Sequence, residues 1–289
     1  MSDQAKPVEA KSRRKFPAVV AMATRRWLAP RTSLFAAALA FHALLALAPV
    51  MLVLLPAASR LLGRETVRRS LDEAAVRFAG PGADRVVSSL VGMVEPSRLR
   101  ATGTLVGVAL LIYFASTFFA QLRVALNAVW DVRPPSFGRT LVDRVTSFGQ
   151  TLLALIAMLL VLAAGVARSM IHPMLPEFGE AGALAWMVWT RLGTLLMTAV
   201  LLAAAYRFVP SSRPRMGAVA VGAIPAALIL NMASELFAFV IARSALASLY
   251  GTAGSLIMFL LWVHYSAWIV LLGAELCRAW GEAGQATSS

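Results

Sequence analysis

The longest apolar stretch of the chain, Tyr250 to Cys277, limits the folds that this sequence can adopt. Its letters are YGTAGSLIMFLLWVHYSAWIVLLGAELC, and no Asp, Glu, Lys or Arg occurs between Gly251 and Ala274. A helix rises about 1.5 Å per residue, so about 20 apolar residues are enough to cross a hydrocarbon core about 30 Å thick. The stretch is therefore predicted to be a transmembrane helix.

Composition extends this prediction to the whole chain. Hydrophobic residues make up 59% of the 289 residues and charged residues 14%, whereas soluble domains have about 45–50% and about 25%. These values exclude a soluble globule. The net charge is +13, which in a membrane protein is typical of basic loops held near anionic lipid, so nucleic acid is not expected as a partner. A single cysteine, Cys277, allows no intrachain disulfide.

Six apolar segments predict an all-α, polytopic membrane protein with six transmembrane helices. These helices are predicted at about 33–62, 101–122, 147–167, 184–206, 217–241 and 250–277. Residues 1–31 form a basic cytoplasmic segment, in which 16–29 are interpreted either as a surface amphipathic helix or as part of a plain basic tail. Residues 32–278 form the membrane domain, with short amphipathic helices in its outer loop 63–100, and 279–289 form a cytoplasmic tail.

The distribution of Lys and Arg predicts the orientation. The N-terminal segment and the connections 123–146 and 207–216 hold eight, four and three basic residues. The connections 168–183 and 242–250 hold one each. Because basic residues are retained on the cytoplasmic side, both termini are expected in the cytoplasm.

Polar residues inside the predicted helices are the candidate site residues, because a charge at the bilayer centre costs at least about 2.5 kcal/mol on insertion scales. Arg191 and Glu235 each lie about 10 Å from the outer end of their helix. They are expected to face each other or to share a polar cavity. Asn231 lies one turn from Glu235, on the same face. A substrate or ion site and a structural pair that locks two helices are the alternative interpretations.

The first and last predicted transmembrane helices hold two histidines and two prolines of interest. His42 and His264 are candidates for substrate binding or ion coupling, and a hydrogen-bonded packing role is the alternative. Pro49 and Pro56 lack the amide hydrogen that an α-helix uses, so they are candidate hinges.

Glu275 completes the candidate substrate-binding or ion-coupling residues. It lies near the cytoplasmic end of the last predicted helix and is expected to pair with Arg278 or to line a wet vestibule. The sequence contains no HExxH, GxSxG, P-loop or CxxC motif. We therefore expect no catalytic residues, no metal, no cofactor and no enzymatic activity.

Four segments of the chain resemble the YihY/BrkB family of bacterial inner-membrane proteins. They are residues 36–54, 114–132, 206–228 and 250–276, the last with its Tyr-Gly start and Gly-Ala-Glu-Leu end. The resemblance covers roughly residues 30–280. It implies six membrane helices, both termini inside, a location in the bacterial inner membrane and a transporter-like role in handling envelope lipids.

The residues and the resemblance together predict a transporter or flippase-like protein for an anionic amphiphile, either a lipid or an envelope lipid precursor. Anionic membrane lipids are the expected partners, and a homo-oligomer is compatible with the sequence. The alternative is a non-transporting scaffold or regulatory protein of the cell envelope. A ribonuclease is disfavoured because the cytoplasmic carboxylates, Asp131 and Glu282 among them, are scattered rather than clustered as such chemistry needs.

Overall fold

The computed structural model describes residues 6–63, 65, 101–132, 179–212, 214–243 and 246–285. The helices of this part of the chain are α1 (Lys6–Trp27), α2 (Pro30–Leu62), α3 (Ala101–Val129), α4 (Gly179–Phe208), α5 (Met216–Arg243) and α6 (Leu246–Gln285). No strand occurs among the described residues. The predicted all-α fold is therefore confirmed.

Five of these helices are long and apolar enough to cross a membrane. Their apolar segments are Pro30–Leu47, Val106–Val129, Val188–Phe208, Met216–Val240 and Leu256–Gly284. They correspond to the first, second, fourth, fifth and sixth predicted transmembrane helices. The third, at 147–167, and the amphipathic helices of the outer loop lie outside the described residues.

Two helices extend further than the sequence analysis predicted. Helix α3 continues past Leu122 because Ala125, Leu126 and Val129, which are 0%, 0% and 5% exposed, extend its apolar face into the core. Helix α6 continues to Gln285, so most of the predicted tail 279–289 is helical.

The prolines of α2 lie inside one helix. Both Pro49 and Pro56 fall within Pro30–Leu62, and the helix continues through each of them. Their role as hinges stays a prediction.

The chain divides into two compact units, and each is described by itself. Unit one comprises Met1–Ala29, Arg123–Ile229 and Val270–Ser289, and unit two comprises Pro30–Leu122 and Leu230–Ile269. In unit one, Val19 and Ala23 of α1 form an apolar core cluster with Leu276 and Ala279 of α6. In unit two, the ring of Phe237 on α5 lies 5.1 Å from that of Trp262 on α6.

Helices α5 and α6 approach each other closely in unit one at Gly222 and Gly273, which we call the glycine crossing. A Cβ added to Gly273 would lie 2.6 Å from the Cβ of Ala226 and 2.9 Å from the carbonyl oxygen of Gly222. Beside it, the Tyr206 hydroxyl donates a 2.6 Å hydrogen bond to the carbonyl oxygen of Val270. Small residues permit this separation because no side chain stands between the two backbones.

Candidate functional site

The polar residues of α4 lie along one face of the helix. Arg191 is exposed near the start of the apolar segment of α4, and Thr194 and Thr198 follow it at helical spacing. Both threonine hydroxyls donate 2.8 Å hydrogen bonds to carbonyl oxygens of the preceding turn of α4. This face therefore presents a guanidinium whose neighbouring hydroxyls are satisfied within the helix.

The second predicted polar cluster lies on α5. Glu235 is exposed, and Asn231 is half-buried one turn before it. The Ser234 hydroxyl donates a 2.6 Å hydrogen bond to the backbone carbonyl of Asn231. Arg191 belongs to unit one and Glu235 to unit two, and their expected approach stays a prediction.

Both candidate histidines are half-buried in unit two. The Nδ1 atom of His42 lies 2.8 Å from the carbonyl oxygen of Ala38, and because a carbonyl can only accept, Nδ1 carries the hydrogen. The ring of His264 packs 5.5 Å from that of Tyr265, edge to face. These contacts are those of packing residues, and a part in ion coupling stays a prediction.

Glu275 is 1% exposed and is among the largest fully buried side chains of the described residues. It lies two residues after Gly273 on α6, so the two residues point to nearly opposite sides of that helix. Burial of a carboxylate is costly unless the group is hydrogen-bonded or paired. Glu275 therefore remains a candidate for ion coupling.

An unpredicted ionic cluster, which we call the charge network, consists of Arg26, Asp131, Arg278 and Glu282. Arg278 contacts Asp131 at 2.6 Å (Nη2 to Oδ2) and donates to Glu282 at 2.7 Å (Nε to Oε1). Arg26 reaches the other oxygen of Glu282 at 3.0 Å. Two arginines and two carboxylates from α1, α6 and the residues after α3 therefore balance each other in charge.

The charge network also caps α3. The last carbonyl groups of a helix lack partners within it, and a cation there also meets the negative end of the helix dipole. Arg278 Nη1 donates to the carbonyl oxygen of Val129, the last residue of α3. The chain then turns at Asp131, which has a positive φ of 50° and directs its carboxylate to the same guanidinium.

The turn between α4 and α5 is held against the same end of α3. The side-chain carbonyl of Asn127 accepts a 2.9 Å hydrogen bond from the backbone amide of Ser211. Within the turn, Arg207 Nη1 donates to the carbonyl oxygen of Pro214 at 2.8 Å. The three segments that have an excess of basic residues, namely the N-terminus, the residues after α3 and the 207–216 turn, therefore meet the C-terminal end of α6 at one end of unit one.

Whether Glu275 pairs with Arg278 or lines a wet vestibule stays a prediction. The contacts of the Arg278 guanidinium include Asp131, Glu282 and Val129. The contact between Arg278 and Glu282 could have been predicted, because the two residues are four apart on a helix. The contact between Arg278 and Asp131 could not, because Asp131 is far from Arg278 in the chain. Within the described residues, no three His, Cys, Asp or Glu side chains are grouped as a metal site.

Comparison with known proteins finds one matching family and several related membrane proteins. The family described as Virulence factor BrkB matches residues 23–288. The chain is 32% identical to a UPF0761 membrane protein of Aromatoleum aromaticum over 88% of the chain and 61% of that relative. It is 31% identical to one of Azoarcus over 86% of the chain and 60% of the relative, and 26% identical to one of Vibrio campbellii over 89% and 80%.

The chain thus spans about three fifths of the length of the Aromatoleum and Azoarcus relatives. No solved structure matches it. Five long apolar helices together with relatives that are named membrane proteins show a multi-pass membrane protein. The match over residues 23–288 shows that this chain belongs to the BrkB family.

Proposed function

We propose that the chain moves an anionic amphiphile, a lipid or an envelope lipid precursor, across the bacterial inner membrane as a transporter or flippase-like protein. The observation that supports the proposal is that Arg191 lies inside the apolar segment Val188–Phe208 and Glu235 inside the apolar segment Met216–Val240. Intramembrane ions are costly, and they commonly mark substrate or proton pathways.

In this proposal Arg191 binds the anionic headgroup, for which a planar guanidinium is well suited. Glu235 exchanges a proton, and Asn231 lies on its face. No catalytic step and no cofactor are involved. The end of unit one that holds the charge network is the cytoplasmic end, because its segments carry the basic residues.

The experiment is a lipid-movement assay in proteoliposomes. Fluorescent phosphatidylglycerol is placed in both leaflets, and an impermeant reductant bleaches the lipid that reaches the outer leaflet. The wild-type protein is expected to accelerate bleaching of the inner-leaflet lipid. Arg191→Ala is expected to slow it by about tenfold or more, because a hydrogen bond to a charged group contributes about 1.5–3 kcal/mol.

The matched control is Leu192→Ala, which truncates a neighbouring side chain of α4 that is 57% exposed. This variant is expected to keep wild-type activity. The proposal is rejected if the wild-type protein moves no lipid, or if Arg191→Ala and Leu192→Ala behave alike.

A membrane scaffold is the second candidate, and the charge network favours it. The network and the apolar cluster of α1 and α6 fix three chain segments at one end of unit one through contacts within the chain. For a scaffold, Arg191→Ala and Glu235→Gln are expected to be tolerated in cells, whereas deletion of residues 64–95 is expected to abolish function.

A further inference from the structure

Helix α1 differs from the other described helices because it carries exposed apolar residues without being a candidate transmembrane segment. Val20 is 37% exposed and Leu28, just after the helix, is 59% exposed. On a transmembrane helix such residues face lipid. On a basic N-terminal helix they need another explanation.

Three sides of α1 have different surroundings. The protein side holds Val19, Ala23 and Arg26, which contact α6 and its carboxylate Glu282. The basic side holds Ala18 and Arg25, seven residues apart and both exposed. The apolar side is largely exposed and consists of Pro17, Val20, Ala21, Thr24 and Leu28.

The apolar side is more hydrophobic than its sequence suggests. Its one hydroxyl, that of Thr24, donates a 2.8 Å hydrogen bond to the carbonyl oxygen of Val20. The Thr24 hydroxyl is therefore satisfied by the helix itself and does not require water. Leu28 lies just after the helix end but stays on the apolar side, because its backbone amide donates a 2.9 Å helical hydrogen bond to the carbonyl oxygen of Thr24.

Helix α1 crosses the end of α6 rather than running beside it. The ring of Phe16 lies 6.4 Å from that of Trp280, and Arg26 reaches Glu282. These contacts are ten residues apart on α1, about 15 Å, but only two residues apart on α6, about 3 Å. Because α6 is long and apolar enough to span the membrane, a helix that crosses its end lies near the plane of the membrane surface.

Chain connectivity places α1 at the same level. Only Leu28 and Ala29 separate α1 from Pro30, where the apolar segment of α2 begins. Arg25 flanks the apolar side, and the sequence adds Lys11, Arg13 and Arg14. Amphipathic helices with basic residues beside an apolar face bind anionic bilayer surfaces.

We propose that α1 is a membrane-surface anchor whose apolar side, Pro17 to Leu28, inserts into the boundary between headgroups and acyl chains of an anionic leaflet. Its protein side is fixed across α6 by the apolar cluster and by the charge network. Arg25, at the edge of the apolar side, contacts the lipid phosphates. This inference does not depend on the transport proposal.

The first test uses spin labels on single cysteines in a Cys277→Ala background, with the full chain in phosphatidylglycerol-containing liposomes. Val20→Cys reports on the apolar side. Ala18→Cys is the matched control, because Ala18 is also an exposed apolar residue of the same helix but lies on the basic side. The label at position 20 is expected to collide with molecular oxygen, which partitions into lipid, more than with a water-soluble nickel chelate. The label at position 18 is expected to show the reverse.

Two results would overturn the proposal. If the label at position 20 collides with the nickel chelate as often as the label at position 18 does, the apolar side of α1 is in water. A label shielded from both reagents would place it against protein, either a second copy of the chain or another segment of it.

The second test needs no substitution. Amide hydrogen exchange of residues 16–27 is compared in nanodiscs of phosphatidylglycerol and of phosphatidylcholine. Exchange is expected to be about tenfold slower in the anionic discs, and the difference is expected to shrink at 1 M salt, where the Debye length falls to about 3 Å. Equal exchange in the two lipids would contradict the proposal.

Discussion

At the scale of single residues, Arg278 joins three parts of unit one. Its side chain is 15% exposed and contacts a carboxylate of its own helix, a carboxylate after α3 and the last carbonyl of α3. The first contact follows from sequence spacing, whereas the others depend on how the chain folds. Charged residues within the helices could therefore be recognised from the sequence as important, but most of the pairs that they form could not be predicted from it.

We predict that Arg278→Ala lowers the free energy of unfolding by about 1–3 kcal/mol, because the partly buried network loses its central cation and an α3 carbonyl loses its donor. Thermal unfolding in detergent measures the change. Arg25→Ala, which removes an exposed arginine of α1, is the control and is expected to stay within about 0.5 kcal/mol. Equal effects of the two substitutions would show that the network contributes nothing to stability.

Tyr206 is 0% exposed, and its hydroxyl joins α4 to α6 through Val270. Replacement by Phe keeps the ring and leaves the Val270 carbonyl without this donor, so we expect a loss of about 1–2 kcal/mol. Tyr113→Phe is the comparison, since Tyr113 is 62% exposed. The measurement is again thermal unfolding in detergent. Identical stabilities of Tyr206→Phe and wild type would rule out a net contribution from this hydrogen bond.

At the scale of helices, apolar length predicted the five candidate transmembrane segments well, because the bilayer fixes how many apolar residues a helix needs. Helix ends were predicted less well. Helix α3 continues through Ala125 and Leu126 because these residues have partners in unit one, and partners cannot be read from one segment. The glycine crossing was missed for the same reason, since Gly222 and Gly273 lie on different helices.

The surroundings of Gly273 and Gly193 predict opposite effects on stability when each glycine is replaced by alanine. Gly273→Ala would place a Cβ against Tyr206 Oη, the Cβ of Ala226 and the backbone of Gly222, so we expect destabilisation by about 1–3 kcal/mol from overpacking. An added Cβ at Gly193 on α4 meets nothing within 4 Å. Gly193→Ala is therefore expected to be neutral or to stabilise by up to about 1 kcal/mol through helix propensity.

Thermal unfolding of both glycine variants in the same detergent is the measurement. A Gly273→Ala protein as stable as Gly193→Ala would show that α5 and α6 do not approach as closely as the glycine crossing requires.

At the scale of the whole molecule, unit one constrains how the chain must pass between the two sides of the membrane. Helix α3 ends at the charge network, and Asn127 on α3 contacts Ser211 in the turn that follows α4. The end of α4 is therefore at the same end as the end of α3. Helix α4 has 30 residues, about 45 Å, so its first residue lies at the opposite end.

We therefore predict that the connection from Val132 to Gly179 passes from the charge-network end to the other end and crosses the membrane an odd number of times. The predicted transmembrane helix at 147–167 supplies one crossing, which gives six for the chain. Single cysteines at positions 136 and 175 in the Cys277→Ala background, labelled with an impermeant maleimide from each side in turn, measure this. We expect position 136 to react from the side that also reaches an added C-terminal cysteine, and position 175 to react only from the other side. Reaction of both from one side would mean that this connection returns without crossing, and both the six-helix topology and the placement of the ends of α3 and α4 at one end of unit one would then be wrong.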